Sequence, residues 1–195
     1  MSASQSAWVQ GRVWMVLSLV IVCIAAAVGL ARVYGVTKPV IDQQKIDAVN
    51  QALAAVLPGT DHFEEQVPGE LWYGFDAQDV RTGAVVRVAP RGYAGPVETL
   101  AGVGLDGLVT GIVITSLKET PGLGLKATQA WFRDQFRGKP AAELKLDKDG
   151  GTLDAISAAT ITSRAVTNGV REGIEKYLDR LLPAQPGMSD TTGDE

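Results

Sequence analysis

The segment DAISAATITSRAV, residues 154–166, concentrates small and hydroxyl-bearing side chains just before an apolar periodic run. The hydroxyl-bearing positions are Ser157, Thr160, Thr162 and Ser163. Backbone N–H groups at a helix start have no intrahelical partner, and together with the helix dipole they attract an anion. Small neighbours such as Ala158 and Ala159 allow a bulky phosphorylated ligand to approach the backbone. The segment predicts a phosphate site, and the simpler alternative is that one hydroxyl caps the helix.

An amphipathic helix is predicted to follow, over residues 163–182, ending before Pro183. Its apolar stripe consists of Val166, Val170, Ile174, Tyr177, Leu178 and Leu181. This spacing matches one face of an α-helix. The hydroxyl cluster therefore lies at the amino terminus of a predicted helix.

A second segment with unusual backbone freedom is KETPGLG, residues 118–124. Thr120, Pro121 and Gly122 interrupt a strand pattern, and Gly122 and Gly124 permit conformations that other residues avoid. A helix is predicted to resume over residues 127–136. Taken alone, the segment is typical of an ordinary strand-to-helix loop.

The strands between these features form an antiparallel sheet in our interpretation. The runs AVVRVA, VETLAGVGL and LVTGIVIT predict strands over residues 84–89, 97–105 and 108–115. Asp106 and Gly107 form a strong hairpin turn signal between the last two. The predicted fold is α+β, an antiparallel β-sheet with flanking helices after one N-terminal transmembrane helix.

The predicted membrane anchor is residues 13–31, which carry no charge and are flanked by Arg12 and Arg32. A helix of this length matches the hydrocarbon core, which is about 30 Å thick. A cleaved signal peptide or a buried core helix are the alternatives. We divide the chain into a short segment 1–12, the span 13–31, a membrane-proximal helix 32–58, a domain 59–183 and an acidic disordered tail 184–195.

Composition excludes several functions. Cys23 is the only cysteine and lies in the predicted span, so iron–sulfur clusters and structural zinc are not expected. His62 is the only histidine and is interpreted as a solvated loop residue. The net charge of −4, without a basic cluster, argues against nucleic acid as a partner.

The segment DAISAAT, residues 154–160, resembles the flavinylation motif D-x-x-S/T-G-A-T, in which the final Thr carries FMN through a phosphoester bond. KETPGLG is similar to the second signature of the same FMN-binding domains, and AWFRDQF follows it. With the single N-terminal span, these segments resemble the G subunit of the Rnf electron-transport complex.

This resemblance implies covalent FMN on Thr160, with no catalytic residue and no metal ligand in the chain. The implied cofactor-binding residues are Lys118, Glu119, Thr120, Gly122, Leu123, Gly124, Asp154, Ser157, Ala158, Ala159, Ile161 and Thr162. The family usually has Gly where this chain has Ala158. If that position needs a positive φ, Ala strains the turn by about 1 kcal/mol or more. Tyr93 and Trp131 could line the flavin but are interpreted as core residues.

The implied function is an electron-transfer subunit that relays electrons through FMN within an ion-translocating oxidoreductase complex linked to ferredoxin and NAD. A separate magnesium-using, FAD-dependent flavin transferase attaches the flavin in such families. The implied location is the bacterial inner membrane, with the flavin domain in the periplasm. Alternatives are the C subunit of the sodium-pumping NADH:quinone oxidoreductase, a regulatory or nitrous-oxide-type FMN-binding membrane protein, and a non-redox anchored binding module.

Overall fold

A computed structural model describes residues 3–120 and 122–181 of the chain. The chain divides into two compact units, with the boundary between Ala48 and Val49. The predicted acidic tail, residues 184–195, lies outside the described residues.

The first unit is helical. Helix α1 covers Ala3–Val56, so it includes residues 13–31 and most of residues 32–58 without interruption. From Trp14 onward, this helix is long and apolar enough to cross a membrane by length and composition. Its large apolar side chains over residues 14–49 are exposed, with Trp14 and Leu30 each at 73%, whereas Leu53 and Val56 near its end are buried. Side chains that find no protein partner suit a lipid environment.

The second unit is built on a five-stranded sheet with the order β1-β2-β3-β4-β5. The strands are β1 His62–Val67, β2 Leu71–Phe75, β3 Arg81–Val88, β4 Val97–Gly104 and β5 Val109–Leu117. All neighbouring strands pair antiparallel. Each strand pairs with the next one along the chain, so the sheet is a meander. The predicted antiparallel sheet is confirmed, with its three predicted strands at β3, β4 and β5.

The first two strands were not predicted. Strand β1 is polar and largely exposed, and therefore shows little apolar alternation. His62, interpreted as a loop residue, instead begins this strand and stacks on Phe75, with 5.4 Å between the ring centroids.

The predicted hairpin turn at Asp106 and Gly107 is confirmed. Gly107 has a φ of 78°, which a glycine adopts without steric cost. The carboxylate of Asp106 accepts a hydrogen bond from the N–H of Leu108 at 3.0 Å. This turn joins β4 directly to β5, and β5 leads into the segment at residues 118–124.

The remaining helices are α2 Ala130–Arg133, α3 Thr160–Lys176 and α4 Leu178–Leu181. The prediction of one continuous helix over residues 127–136 was wrong. Gln129, with a ψ of 146°, is extended and separates a 3₁₀ turn from α2. The helix predicted over residues 163–182 begins three residues earlier and is interrupted at Tyr177, which has a φ of −113° and a ψ of 11°. The hydroxyl of Tyr177 donates a hydrogen bond to Glu70 at 2.5 Å, and this contact ties the end of α3 to the sheet.

Both faces of the sheet are covered, because successive residues of β3 belong to two different core clusters. Ala84 and Val86 belong to the larger core cluster, which includes the apolar face of α3. Val85, between them, belongs to a second cluster with Leu53 and Val56 near the end of α1. Successive strand residues point to opposite faces, so β3 packs against helices on both sides. The predicted α+β class is confirmed, and the sheet provides a rigid platform for the start of α3.

Candidate functional site

An open cavity of about 520 Å³ lies where three segments meet: the loop between β3 and β4, the segment after β5, and the start of α3. Its lining residues are Tyr93, Glu119, Thr120, Leu123, Gly124, Ala158, Ala159, Thr160, Ile161 and Thr162. The volume is in the range of small-molecule and cofactor sites. The fold therefore brings together two segments that lie about thirty residues apart in the sequence.

Most of the residues implied by the resemblance line this cavity, and four do not. Lys118, Gly122, Asp154 and Ser157 lie outside the lining. The interpretation of Tyr93 as a core residue was wrong, because its side chain is 69% exposed and forms part of the wall. Tyr93 belongs to neither signature segment, so the sequence around it did not indicate a place in the cavity wall.

Trp131 is not a core residue either. Its side chain is 46% exposed and its indole N–H donates to the side-chain oxygen of Gln129 at 2.7 Å. The core position in α2 is taken by Phe132, which is fully buried and packs edge-on against Phe136. Trp131 is absent from the lining of the cavity.

Helix α3 begins without a side-chain cap. Ala159 occupies the N-cap position, and no side chain accepts a hydrogen bond there. The alternative that one of the hydroxyls caps this helix is therefore wrong. The first backbone N–H groups of α3, which begins at Thr160 beside the cavity, have no intrahelical acceptor, so they remain available to an anion.

The three hydroxyls at this helix start have different environments. Ser163 is fully buried and Thr162 is 1% exposed, whereas Thr160 is half-buried. Ser163 serves the protein itself: its hydroxyl accepts a hydrogen bond from the N–H of Ile156 and donates one to the carbonyl of Ala159. Thr160 thus lines the cavity and remains partly accessible to solvent.

Ala158 adopts a left-handed backbone conformation, with a φ of 62°. For a residue with a Cβ atom this costs about 1–2 kcal/mol. This is the positive φ at which Ala158 was expected to strain the turn. The surrounding backbone holds the turn in place: the N–H of Ala159 donates to the carbonyl of Ile156 at 3.0 Å.

Glu119 holds the loop between β3 and β4 against the segment that follows β5. Its Oε1 atom accepts hydrogen bonds from the backbone N–H of Tyr93 at 2.7 Å and of Ala94 at 3.3 Å. A Cβ atom at Gly124 would lie 2.7 Å from the Cβ of Glu119, so only glycine fits at this close approach. One wall of the cavity therefore depends on Glu119 and Gly124 together.

Asp154 and Ser157 lie outside the cavity lining. The N–H of Asp154 donates to the side-chain oxygen of Gln135 at 2.6 Å, which ties this segment to the turn after α2. The side chains of Asp154 and Ser157 are both exposed.

Lys148 is a neighbour of Thr160 that the sequence did not indicate. Its Nζ atom donates a hydrogen bond to the hydroxyl of Thr160 at 3.3 Å. Next to it, Asp149 forms two hydrogen bonds with Arg164 of α3, each 2.8 Å long. Hydrogen bonding to the guanidinium of Arg164 lowers the pKa of Asp149, and the same contact raises the pKa of Arg164. Lys148 lies in neither signature segment, so only the folded structure brings it to Thr160.

The lining fits a planar aromatic group that carries a phosphate. Tyr93, Leu123 and Ile161 offer exposed apolar surface, and Thr120 adds an exposed polar side chain. The start of α3 supplies backbone donors for an anion, and Lys148 supplies a positive charge beside Thr160. These are the groups that a flavin mononucleotide requires.

Comparison with known proteins agrees with this geometry. The model of the FMN-binding domain family matches residues 92–175, the region that holds the cavity. The chain is 35% identical to the G subunit of the proton-translocating ferredoxin:NAD(+) oxidoreductase complex of Clostridium ljungdahlii, over 82% of this chain and 88% of that protein. It is 36% identical to the G subunit of the corresponding Na(+)-translocating complex of Acetobacterium woodii, over 83% of this chain and 89% of that protein.

These matches extend over most of each protein, and the chain belongs to the family of G subunits of ion-translocating oxidoreductase complexes. The resemblance drawn from the two signature segments is thereby confirmed. Among solved structures, the chain is similar to the C subunit of the Na(+)-translocating NADH-quinone reductase of Parabacteroides distasonis, with a TM-score of 0.49 and 20% identity, covering 59% of this chain and 63% of that one.

Proposed function

We propose that this protein is a membrane-anchored electron carrier that relays electrons through FMN attached covalently to Thr160. The observation that carries the proposal is the cavity in which the start of α3, the segment after β5 and Tyr93 surround Thr160. Family membership supports the electron-transfer role, since the relatives are named as subunits of oxidoreductase complexes.

Attachment of FMN is a transfer of a phosphoryl group. The oxygen of the Thr160 hydroxyl forms a bond to the phosphorus that bears riboflavin, while the pyrophosphate bond of FAD breaks. AMP leaves with the bridging oxygen, and the hydroxyl proton passes to solvent. No oxidation or reduction occurs in this step, and a separate flavin transferase using magnesium carries it out in our proposal.

The residues of the cavity then hold the attached group. The phosphodiester bears one negative charge, and the unpaired N–H groups at the start of α3 donate to it. Leu123, Tyr93 and Ile161 give apolar surface to the ring, and Thr120 gives a polar contact. Bound FMN supplies the one- and two-electron redox chemistry, while the protein fixes its position and environment.

The chain works as one component of a larger assembly. Its relatives from Clostridium ljungdahlii and Acetobacterium woodii are named as subunits of ferredoxin:NAD(+) oxidoreductase complexes, and we propose the same partners here. Helix α1 anchors the chain in the bacterial inner membrane. We further propose that the FMN domain faces the periplasm, where a transferase modifies it.

Two alternative functions can be distinguished from the proposed one. The C subunit of a sodium-pumping NADH:quinone oxidoreductase would also carry FMN on Thr160, but the relatives from Clostridium ljungdahlii and Acetobacterium woodii are named as G subunits. A non-redox anchored module would carry no flavin at all. The cavity and the uncapped α3 favour the flavoprotein over that module.

Intact mass spectrometry of the full chain tests the proposal. After co-expression with a flavin transferase, the wild-type chain gains the mass of one FMN less one water, and the denatured band fluoresces under ultraviolet light. Redox titration of the labelled protein then shows reversible bleaching of the flavin spectrum. A chain that gains no mass in the presence of an active transferase contradicts the proposal.

A further inference from the structure

Lys148 lies beside the reactive hydroxyl without belonging to the cavity or to either signature segment. Its Nζ atom is 3.3 Å from Oγ1 of Thr160. A neutral hydroxyl is a modest partner for an ammonium group, whereas a phosphate oxygen forms a stronger, charge-assisted hydrogen bond. The contact in the unmodified protein therefore places a cation where a phosphate would be attached.

The turn that carries Lys148 is anchored on both sides of this residue. Before it, Leu146 is buried at 1% exposure, and the neighbouring N–H of Asp147 donates to the carbonyl of Leu153 at 2.8 Å. After it, Asp149 forms two hydrogen bonds with the guanidinium of Arg164. This pair fixes the turn to α3 itself.

Arg164 connects this turn to the part of α3 that carries Thr160. It follows Thr160 by four positions, so the two side chains lie on the same face of α3, one turn apart. The pair between Asp149 and Arg164 therefore aligns the turn with the helix position that carries the hydroxyl. It also satisfies the carboxylate of Asp149, which would otherwise compete for the ammonium of Lys148.

We propose that Lys148 is the side chain that binds the phosphate of the flavin on Thr160, and that Asp149 and Arg164 position it. The inference rests on the proposed attachment of FMN to Thr160. A phosphorus bonded to Oγ1 brings its non-bridging oxygens next to the position that Lys148 already contacts, and a lysine side chain is flexible enough to reach them. Lys148 thereby offsets the negative charge during transfer and afterwards.

The test compares initial rates of flavin attachment to the full chain in detergent, with purified flavin transferase, FAD and magnesium. We expect Lys148→Met to slow attachment about tenfold, the loss typical of one charge-assisted hydrogen bond. Lys148→Arg keeps the cation and restores most of the rate. The matched control is Lys145→Gln, which removes a positive charge three residues earlier and keeps the wild-type rate.

A second measurement reports on the phosphate directly. Once long incubation has labelled each protein fully, the ³¹P resonance of the phosphodiester is shifted in Lys148→Met relative to wild type and unshifted in Lys145→Gln. Thermal unfolding of the variants, which alter exposed side chains, stays close to wild type.

The outcomes separate this inference from the proposed function. If Thr160 is labelled in wild type and Lys148→Met matches both its rate and its ³¹P resonance, the role of Lys148 is wrong and the attachment stands. If Lys148→Arg fails to restore the rate, a cation at this position is not what matters. If wild type itself acquires no flavin, the proposed function and this inference fail together.

Discussion

The backbone N–H of Ile156 donates a hydrogen bond of 2.9 Å to the hydroxyl of Ser163, a residue on the first turn of α3. Ser163 in turn donates to the carbonyl of Ala159 at 3.0 Å. A buried hydroxyl thus holds the loop before α3 against the helix. The hydroxyl cluster therefore serves two purposes: Ser163 shapes the loop, and Thr160 presents its oxygen to the cavity.

Ser163→Ala removes this link and leaves the N–H of Ile156 buried without its partner. We expect a loss of about 1–3 kcal/mol in the free energy of unfolding. Chemical unfolding of the detergent-solubilised chain measures it. Ser157→Ala, in the same loop but exposed, changes stability by no more than about 0.5 kcal/mol. Equal effects of the two substitutions would show that Ser163 is not the residue that holds the loop.

Ala158→Gly relieves the strain of a positive φ, which is 62° at this residue. Relief of about 1–2 kcal/mol is partly offset by the larger entropy of glycine in the unfolded chain, about 0.5–1 kcal/mol. We expect a small net gain in stability and flavin attachment at least as fast as in wild type. Ala155→Gly, which lacks a positive φ, should instead destabilise the protein. A loss of stability in Ala158→Gly would contradict the strain.

Glu119→Ala removes the acceptor for the N–H groups of Tyr93 and Ala94. The loop between β3 and β4 then loosens, so amide exchange at Tyr93 accelerates and flavin loading falls. Glu119→Gln retains a side-chain oxygen and should behave much like wild type. Glu143→Ala, in an exposed turn, is the control for the loss of a carboxylate. Unchanged exchange at Tyr93 in Glu119→Ala would show that the loop is held by other contacts.

Much of this architecture follows from sequence patterns, and the exceptions have physical causes. Strands β3, β4 and β5 read as short apolar runs because they contribute buried residues to the core, and Asp106 with Gly107 specifies a hairpin. Strand β1 was not predicted from the sequence. It lies at the exposed edge of the sheet, so its residues need not be apolar. Both signature segments were identified from the sequence. Lys148 was not, because its contact with Thr160, like the neighbouring ion pair between Asp149 and Arg164, forms only in the tertiary fold.

The contact between α3 and the sheet should weaken in acid. Hydrogen bonds from Lys176 and from Tyr177, together with the charge of Lys176, lower the pKa of Glu70 from its ordinary value of 4.5. A carboxylate with a lowered folded-state pKa contributes stability that is complete above the unfolded value and is lost as pH falls through the folded value. Glu70→Gln should therefore lower the melting temperature at pH 7 and leave it close to wild type in strong acid.

The control for this pH dependence is Glu64→Gln, on the exposed face of β1. It should leave the melting temperature near wild type at pH 7. A difference between Glu70→Gln and wild type that stays constant down to strong acid would show that the charge of Glu70 is not responsible.

The central claim, that Thr160 carries the flavin, is tested most directly by locating the modification within one peptide. Trypsin cleaves after Lys148 and Arg164, which releases residues 149–164 with every hydroxyl of the cluster. We predict that fragmentation of this peptide from the labelled protein places FMN on Thr160, that Thr160→Ala abolishes labelling, and that Thr162→Ala retains it. FMN found on Thr162 or Ser163, or a Thr160→Ala chain that is still labelled, would contradict the account.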